Sequence, residues 1–252
     1  MSGAPVIEML YPEIANLHGD TLNIDYLAQC RPDARVIRTS LTERPAFTQE
    51  RVDLLYLGPL TEQGQLKVIE RLRPYASALR DRVAGSAPSL FTHNAIETLG
   101  ARISNEAMGY DVSGVGIFDF ETTVHMTGRY NGKVMGTVAE VGNEHPVIGY
   151  KSQFSMLHGG DELPGFLTAS RGIGRNTNTS TEGVRVGNFI GTSLIGPLLT
   201  TNPYLTRALL SMIDPNTEPT LAHEEYATRA YELRLRRFQQ ARSWFAFEQV
   251  QA

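Results

Sequence analysis

Val52-Asp53-Leu54-Leu55-Tyr56-Leu57-Gly58-Pro59 is apolar apart from Asp53 until Gly58-Pro59 ends it. A strand with one wet face alternates polar and apolar residues. A nearly continuous apolar run suits a strand covered on both faces. Working outward, Val6 to Tyr11 is a short apolar strand stopped by Pro12. The polar turn Asn16 to Asp20 follows, and Thr21 to Arg31 has a helical pattern. Ala34 to Leu41 reads as a second strand, Thr61 to Asp81 as a long helical stretch and Ser89 to Thr92 as another short strand. His93 to Leu99 reads as a helix closed by Gly100. This βαβα alternation predicts a mainly parallel sheet with helices on both sides.

The second half has a different texture. Gly114 to Phe120, Glu121 to Met126 and Lys133 to Val141 are β-rich, with turns expected at Thr127-Gly128 and Asn131-Gly132, the latter a strong hairpin signal. Gly149 to Phe154, Gly165 to Ser170 and Val184 to Leu194 are further strand candidates, and Gly172 to Gly183 is a Gly/Asn/Thr/Ser loop. Asn202 to Ile213 is helical, and Thr220 to Gln249 reads as a charged amphipathic helix. With no repeat or linker in its 252 residues, the chain reads as one domain, 1–252, with a C-terminal helical extension over about 220–250.

Hydrophobic residues are 41% and charged residues 20%, with a net charge of -4, a balance without the basic footprint of nucleic-acid binding. The single cysteine, Cys30, rules out an internal disulfide. The first ten residues lack a signal-peptide pattern, and no apolar run approaches the roughly 18–20 residues of a membrane span. The expectation is a cytoplasmic protein without a transmembrane segment.

Several segments, in order, resemble one family. Leu10-Tyr-Pro-Glu-Ile-Ala-Asn-Leu-His-Gly-Asp20 with Asn23 is similar to the opening of the GatD-like subunit of lipid II isoglutaminyl synthase, a class I glutamine amidotransferase of the cobyric-acid-synthase type. So are Gly114-Val-Gly-Ile-Phe-Asp-Phe-Glu-Thr122, Ile148-Gly-Tyr150, Gly172-Ile-Gly-Arg-Asn176 through Thr181-Glu-Gly183, and Asn188 to Leu199 followed by Asn202-Pro203. The resemblance covers roughly residues 6 to 212. It implies a flavodoxin-like α/β sandwich with a mostly parallel central sheet and helices on both faces. It also implies a Mur-ligase-like (MurT-type) partner in peptidoglycan precursor modification.

Glutamine hydrolysis on this fold needs a thiolate on a tight strand-to-helix turn, a histidine to move the proton, and backbone N–H groups to hold the oxyanion. Counting back from Gly100 in Ser89-Leu-Phe-Thr-His-Asn-Ala-Ile-Glu-Thr-Leu-Gly100 places His93 at the family's cysteine position, with Asn94 where a small residue belongs. The family's Leu-His-Gly-Pro base segment reads Leu194-Ile195-Gly196-Pro197, and Ile195 has no ionisable atom. The oxyanion loop reads Gly58-Pro59-Leu60, and Pro59 has no N–H to donate. A further family histidine is replaced by Gln153. The resemblance also sets Arg129 near an arginine linked to glutamine entry, against its reading as a solvated hairpin residue. These positions (Gly58, Pro59, His93, Asn94, Arg129 and Gln153) form the expected vestigial pocket, and His93 and Ile195 are its degenerate catalytic positions.

Cys30 reads as a packing or surface residue, Thr92 as a strand-end threonine rather than a nucleophile, and His18 as a turn residue. His125, His145, His158 and His223 lack recognisable partners. No spaced ligand set points to a metal, and no cofactor is expected. The Arg229–Arg242 run reads equally as a partner-docking helix or a solvated face. The main expectation is a non-catalytic partner subunit. Two others stay open: an active amidotransferase with an unusual nucleophile, and a small-molecule module that takes glutamine or a related ligand in the vestigial pocket.

Overall fold

The computed structural model of the chain describes residues 3–240 and 248–249. Its first half alternates as the patterning predicts: β1 (Val6–Leu10), α1 (Leu22–Cys30), β2 (Arg35–Thr39), β3 (Leu54–Leu57), α2 (Glu62–Leu72), α3 (Ala76–Ala84) and β4 (Ser89–Thr92). A short 3-10 helix, His93–Leu99, follows β4 without a linker. The expected single helix over Thr61–Asp81 is two helices, broken at Arg73-Pro74-Tyr75. Pro74 has no N–H for an i to i−4 bond, and its ring crowds the preceding turn. Thr61 caps the start of α2, its hydroxyl accepting from the Gly64 N–H at 3.0 Å.

The second half is mostly antiparallel. β5 (Arg102–Asn105), β6 (Tyr110–Ser113), β7 (Glu121–Val124), β8 (Gly128–Val138), β9 (Gly142–Gln153), β10 (Ser155–His158), β11 (Leu167–Arg171) and β12 (Thr181–Glu182) are followed by the hairpin β13 (Val184–Val186) and β14 (Phe189–Thr192). Then come α4 (Leu198–Thr201), α5 (Pro203–Ile213), α6 (Glu224–Gln239) and β15 (Glu248–Gln249).

Six strands make the central sheet in the order β13-β14-β4-β3-β1-β2. All neighbours are parallel except the β13–β14 edge pair. The apolar run of β3 is explained by its two faces. Leu54 and Tyr56 join one cluster with Met9, Leu90 and Ile190, against α1, α4, α5 and strands β8, β9 and β11. Leu55 and Leu57 join the other, with Phe91 and Phe189, against α2 and α3. Successive side chains leave a strand on opposite faces, so a sheet covered on both sides needs apolar residues at every position.

Three expectations in the second half are corrected. Asn131-Gly132 is not a turn. It lies inside β8, where Asn131 faces Ser152 and Gly132 faces Lys151 of β9. Gly132 serves close packing instead, since a Cβ there would sit 2.5 Å from the Tyr130 hydroxyl. The β8–β9 hairpin turns at residues 139–141. Gly114 to Phe118 is not a strand either; it is strapped to the end of the His93–Leu99 helix. Val115 donates to the Thr98 carbonyl, Gly116 to Gly100, and Ile117 and Phe118 to Leu99, at 2.8–3.1 Å. The helix expected over Thr220–Gln249 is Glu224–Gln239, with Glu248-Gln249 in a strand against β8 and residues 241–247 outside the described set. Tyr231 and Phe238 of α6 pack onto Met135 and Ile148, while Arg229, Arg234 and Arg236 face outward. No described helix is long and apolar enough to cross a membrane.

Candidate functional site

β4 runs into the His93–Leu99 helix through a single residue in the left-handed region, His93, with φ +52°. That conformation is costly for a side chain other than glycine. It is the strand–turn–helix geometry that presents one side chain at the carboxyl end of a parallel sheet. The chain continues from the sheet into a cleft of about 200 Å³, lined by His18, Leu60, Gln65, His93, Asn94, Glu97, Arg129 and residues 152–155 of the β9–β10 segment, among others.

The His93 ring is fixed from one side. Its Nε2 lies 3.2 Å from the Ser152 carbonyl oxygen and therefore carries the proton. Its Nδ1 is buried without a partner. Burial pushes the imidazole pKa down, which keeps the ring neutral. His18 reaches the same cleft from the turn after β1. It also sits at positive φ (+62°), and its ring meets that of His93 edge-on at 5.6 Å between centroids.

Asn94 closes the neighbouring loop. Its Oδ1 accepts from the Leu60 N–H at 2.9 Å and its Nδ2 donates to the Leu60 carbonyl at 2.8 Å. Pro59 has no N–H, and the Leu60 N–H is committed to Asn94, so neither backbone group is free to hold an oxyanion. Gly58 and Pro59 are buried behind the cleft and do not line it. A Cβ on Gly58 would lie 2.5 Å from the Ala15 carbonyl oxygen. Of the six residues expected to form a pocket, His93, Asn94, Arg129 and Gln153 line the cleft, and Gly58 and Pro59 do not.

Glu97 is the most perturbed acid in the cleft. It is 3% exposed and accepts from the Gln65 Nε2 at 2.7 Å and from the Ser155 hydroxyl. Desolvation raises its pKa to about 7, against the pull of those two hydrogen bonds. Gln153 is 4% exposed; its Nε2 donates to the Ser155 carbonyl at 2.6 Å and its Oε1 has no partner. Arg129, at the exposed rim, holds its guanidinium 4.3 Å from the Phe154 ring centroid, a cation–π contact.

Ile195 is half-buried outside the cleft lining. Its N–H donates to the Tyr150 carbonyl at 2.8 Å, two residues along β9 from the carbonyl that faces His93. Beside it, Gly196 leaves room for Asp20, whose Oδ1 would be 1.5 Å from a Cβ on that glycine. Asp20 accepts from the Tyr56 hydroxyl at 2.6 Å and from the Thr92 hydroxyl. The last residue of the Asn-Leu-His-Gly-Asp turn is thereby tied to the foot of the elbow. Thr92 itself is fully buried.

Behind β9, Lys151 and Glu182 form a fully buried ion pair at 3.4 Å. The Lys151 Nζ also donates to the Gly174 carbonyl at 2.6 Å, and Glu182 accepts from the Thr192 hydroxyl and the Ser193 N–H at 2.9 and 2.8 Å. Cys30 is remote from all of this. It is buried in α1 on the opposite core cluster, takes a 3.3 Å contact from the Ala222 N–H, and has its thiol pKa raised by burial. His145 stacks on Tyr204, and His223 precedes α6. Among the described residues no group of three or more His, Cys, Asp or Glu could hold a metal ion.

The sequence reading missed His18, Gln65, Glu97 and Ser155 as cleft residues. His18 and His93 are 75 positions apart, and nothing local links them. Glu97 carries a weak signal, an acid four residues beyond the elbow on a short helix.

No protein-family model matches the chain. The chain is 27% identical over 201 residues to the GatD subunit of lipid II isoglutaminyl synthase (glutamine-hydrolyzing) from Staphylococcus aureus (strain N315), which covers 77% of this chain and 78% of that protein. Among solved structures, a glutamine amidotransferase crystal structure superposes with a TM-score of 0.53 at 14% identity, covering 82% of this chain and 98% of that one. At that identity the structural likeness speaks to the fold alone. The elbow geometry and the relative's sequence, taken together, make the chain similar to the GatD-like subunits of the glutamine amidotransferases.

Proposed function

We propose that this chain is a non-hydrolysing GatD-like subunit that docks with a Mur-ligase-like partner in lipid II modification. The observation that carries the proposal is the elbow. The position that must present a nucleophile holds the neutral imidazole of His93, whose Nε2 is tied to the Ser152 carbonyl. Hydrolysis of a carboxamide through an acyl-enzyme requires a thiolate or an activated alkoxide there. The thiol of Cys30 is buried elsewhere, and Ile195 cannot shuttle a proton. The Leu60 N–H is spent on Asn94. Nucleophile, base and oxyanion donor are thus all compromised, while the sheet and elbow that carry them in the family remain built. The relative's name, as a subunit of a synthase, supports a role exercised through a partner.

The test is co-expression with a Mur-ligase-like protein from the same cell, followed by size-exclusion chromatography and a coupled ammonia assay on the complex. The expected result is co-elution with no ammonia released from glutamine above the rate of the ligase alone. Separate elution of the two proteins overturns the partner role, and ammonia release that depends on this chain overturns the non-hydrolysing one.

A further inference from the structure

The inner wall of the cleft has an unusual balance of hydrogen-bonding groups. Its donor groups each already serve a protein acceptor: the Gln65 amide serves Glu97, the Asn94 amide and the Leu60 N–H each other's residue, the Gln153 amide the Ser155 carbonyl, the Ser155 hydroxyl Glu97, and the Ser152 hydroxyl Asn131. The two buried atoms on this wall without a partner are both acceptors, Gln153 Oε1 and His93 Nδ1. Beside them lies the carboxyl of Glu97, held by two neutral donors, with no ion pair to it among the described residues. The charged and titratable groups that share the cleft are His18, Glu62 and Arg129. Arg129 is at the rim over Phe154, and Lys151, behind β9, is paired with Glu182.

Two unsatisfied acceptors and an uncompensated buried acid call for a guest that brings N–H donors and positive charge. We propose that the cleft binds a small N–H-bearing cation, ammonium or the head of a primary amine, between Gln153 Oε1, His93 Nδ1 and the Glu97 carboxylate. Such a guest donates to both acceptors and gives Glu97 the counter-charge that the protein withholds. An anion would instead meet those two acceptors and the Glu97 carboxyl. The site stands whether or not the chain docks with a ligase, because it is read from the isolated chain.

The experiment is a titration of the isolated full chain at pH 8, above the pKa of Glu97. Ammonium chloride, methylammonium chloride, potassium chloride and tetramethylammonium chloride are compared at constant ionic strength. The readouts are the melting temperature and the imidazole NMR signals of His93, assigned with His93→Gln. A real ligand raises apparent stability by mass action. Ammonium and methylammonium are expected to raise the melting temperature and shift the His93 signals saturably, with potassium about tenfold weaker and tetramethylammonium inert. Gln153→Leu and Glu97→Gln are each expected to weaken the response by about tenfold or more, the loss of one hydrogen bond to a charged group. Two variants are used because either alone could perturb folding. Equal responses to all four salts overturn the proposal, as does a response unchanged in folded Gln153→Leu and Glu97→Gln. It is also overturned if L-glutamine shifts the same His93 signals at more than tenfold lower concentration, which makes this an amino-acid site.

Discussion

The raised pKa of Glu97 has a thermodynamic consequence that can be measured without any ligand. In the unfolded chain this carboxyl titrates near 4.5, and in the folded chain near about 7. The folded state therefore holds the proton more tightly. Between those values the native chain binds more protons than the unfolded one, so stability falls as pH rises from about 4.5 to about 7 and is level above that. At about 1.4 kcal/mol per pH unit, the gap amounts to roughly 3 kcal/mol, with no discount for solvent because the carboxyl is buried. Glu97→Gln keeps the shape. Its amide oxygen can accept from Gln65, and its NH2 can donate to the Ser155 hydroxyl, but it cannot ionise. Urea unfolding of both proteins between pH 5 and 8 isolates the effect, because every other titrating group cancels in the difference. The variant is expected to gain on the parent by about 2–3 kcal/mol across that range, with the gain complete near neutrality. Difference curves that stay level with pH would refute the reasoning, and so would a variant that loses ground as pH rises.

Two further outcomes follow from the same structure. Lys151→Met leaves Glu182 buried without its cation and is expected to cost about 3–5 kcal/mol in urea unfolding. Adding Glu182→Gln should recover a large part, and strict additivity of the two changes would contradict a coupled pair. His93→Cys restores a thiol at the elbow, yet is expected to give no glutamine turnover in a coupled glutamate assay, because Ile195 offers no base and Asn94 keeps the Leu60 N–H. Turnover by that single variant would show that neither lack is limiting.

What could be read from the sequence divides along physical lines. The strands of the parallel sheet were legible because burial on both faces writes itself as unbroken apolar runs, as in Leu54–Leu57. The elbow was legible as a position, because a short strand, a polar residue and a closing glycine survive at Ser89–Gly100. β5 and β6 were not, since Arg102-Ile-Ser-Asn105 and Tyr110-Asp-Val-Ser113 carry little apolar content and take their pairing from each other and from β7. Asn131-Gly132 misled because the same dipeptide that favours a tight turn also fits a strand where the side chain of Tyr130 crosses the backbone. The cleft was half legible. His93, Asn94, Arg129 and Gln153 were found by position. His18 and Glu97 gain their character from burial and from partners far along the chain, which no local pattern records.

The parallel pairing of β4 with β14 joins Ser89 to Phe189 and Thr92 to Thr192, partners 100 residues apart. During synthesis at about 5–20 residues per second, β4 therefore waits on the order of 5–20 seconds for the strand that covers its free edge. Throughout that interval Leu90 and Phe91 sit at an open sheet margin, the arrangement most prone to pair with another chain. The nascent protein thus passes through a stage at which its half-built sheet is adhesive, and its yield in the cell should depend on translation speed and chaperone supply more than its finished stability suggests.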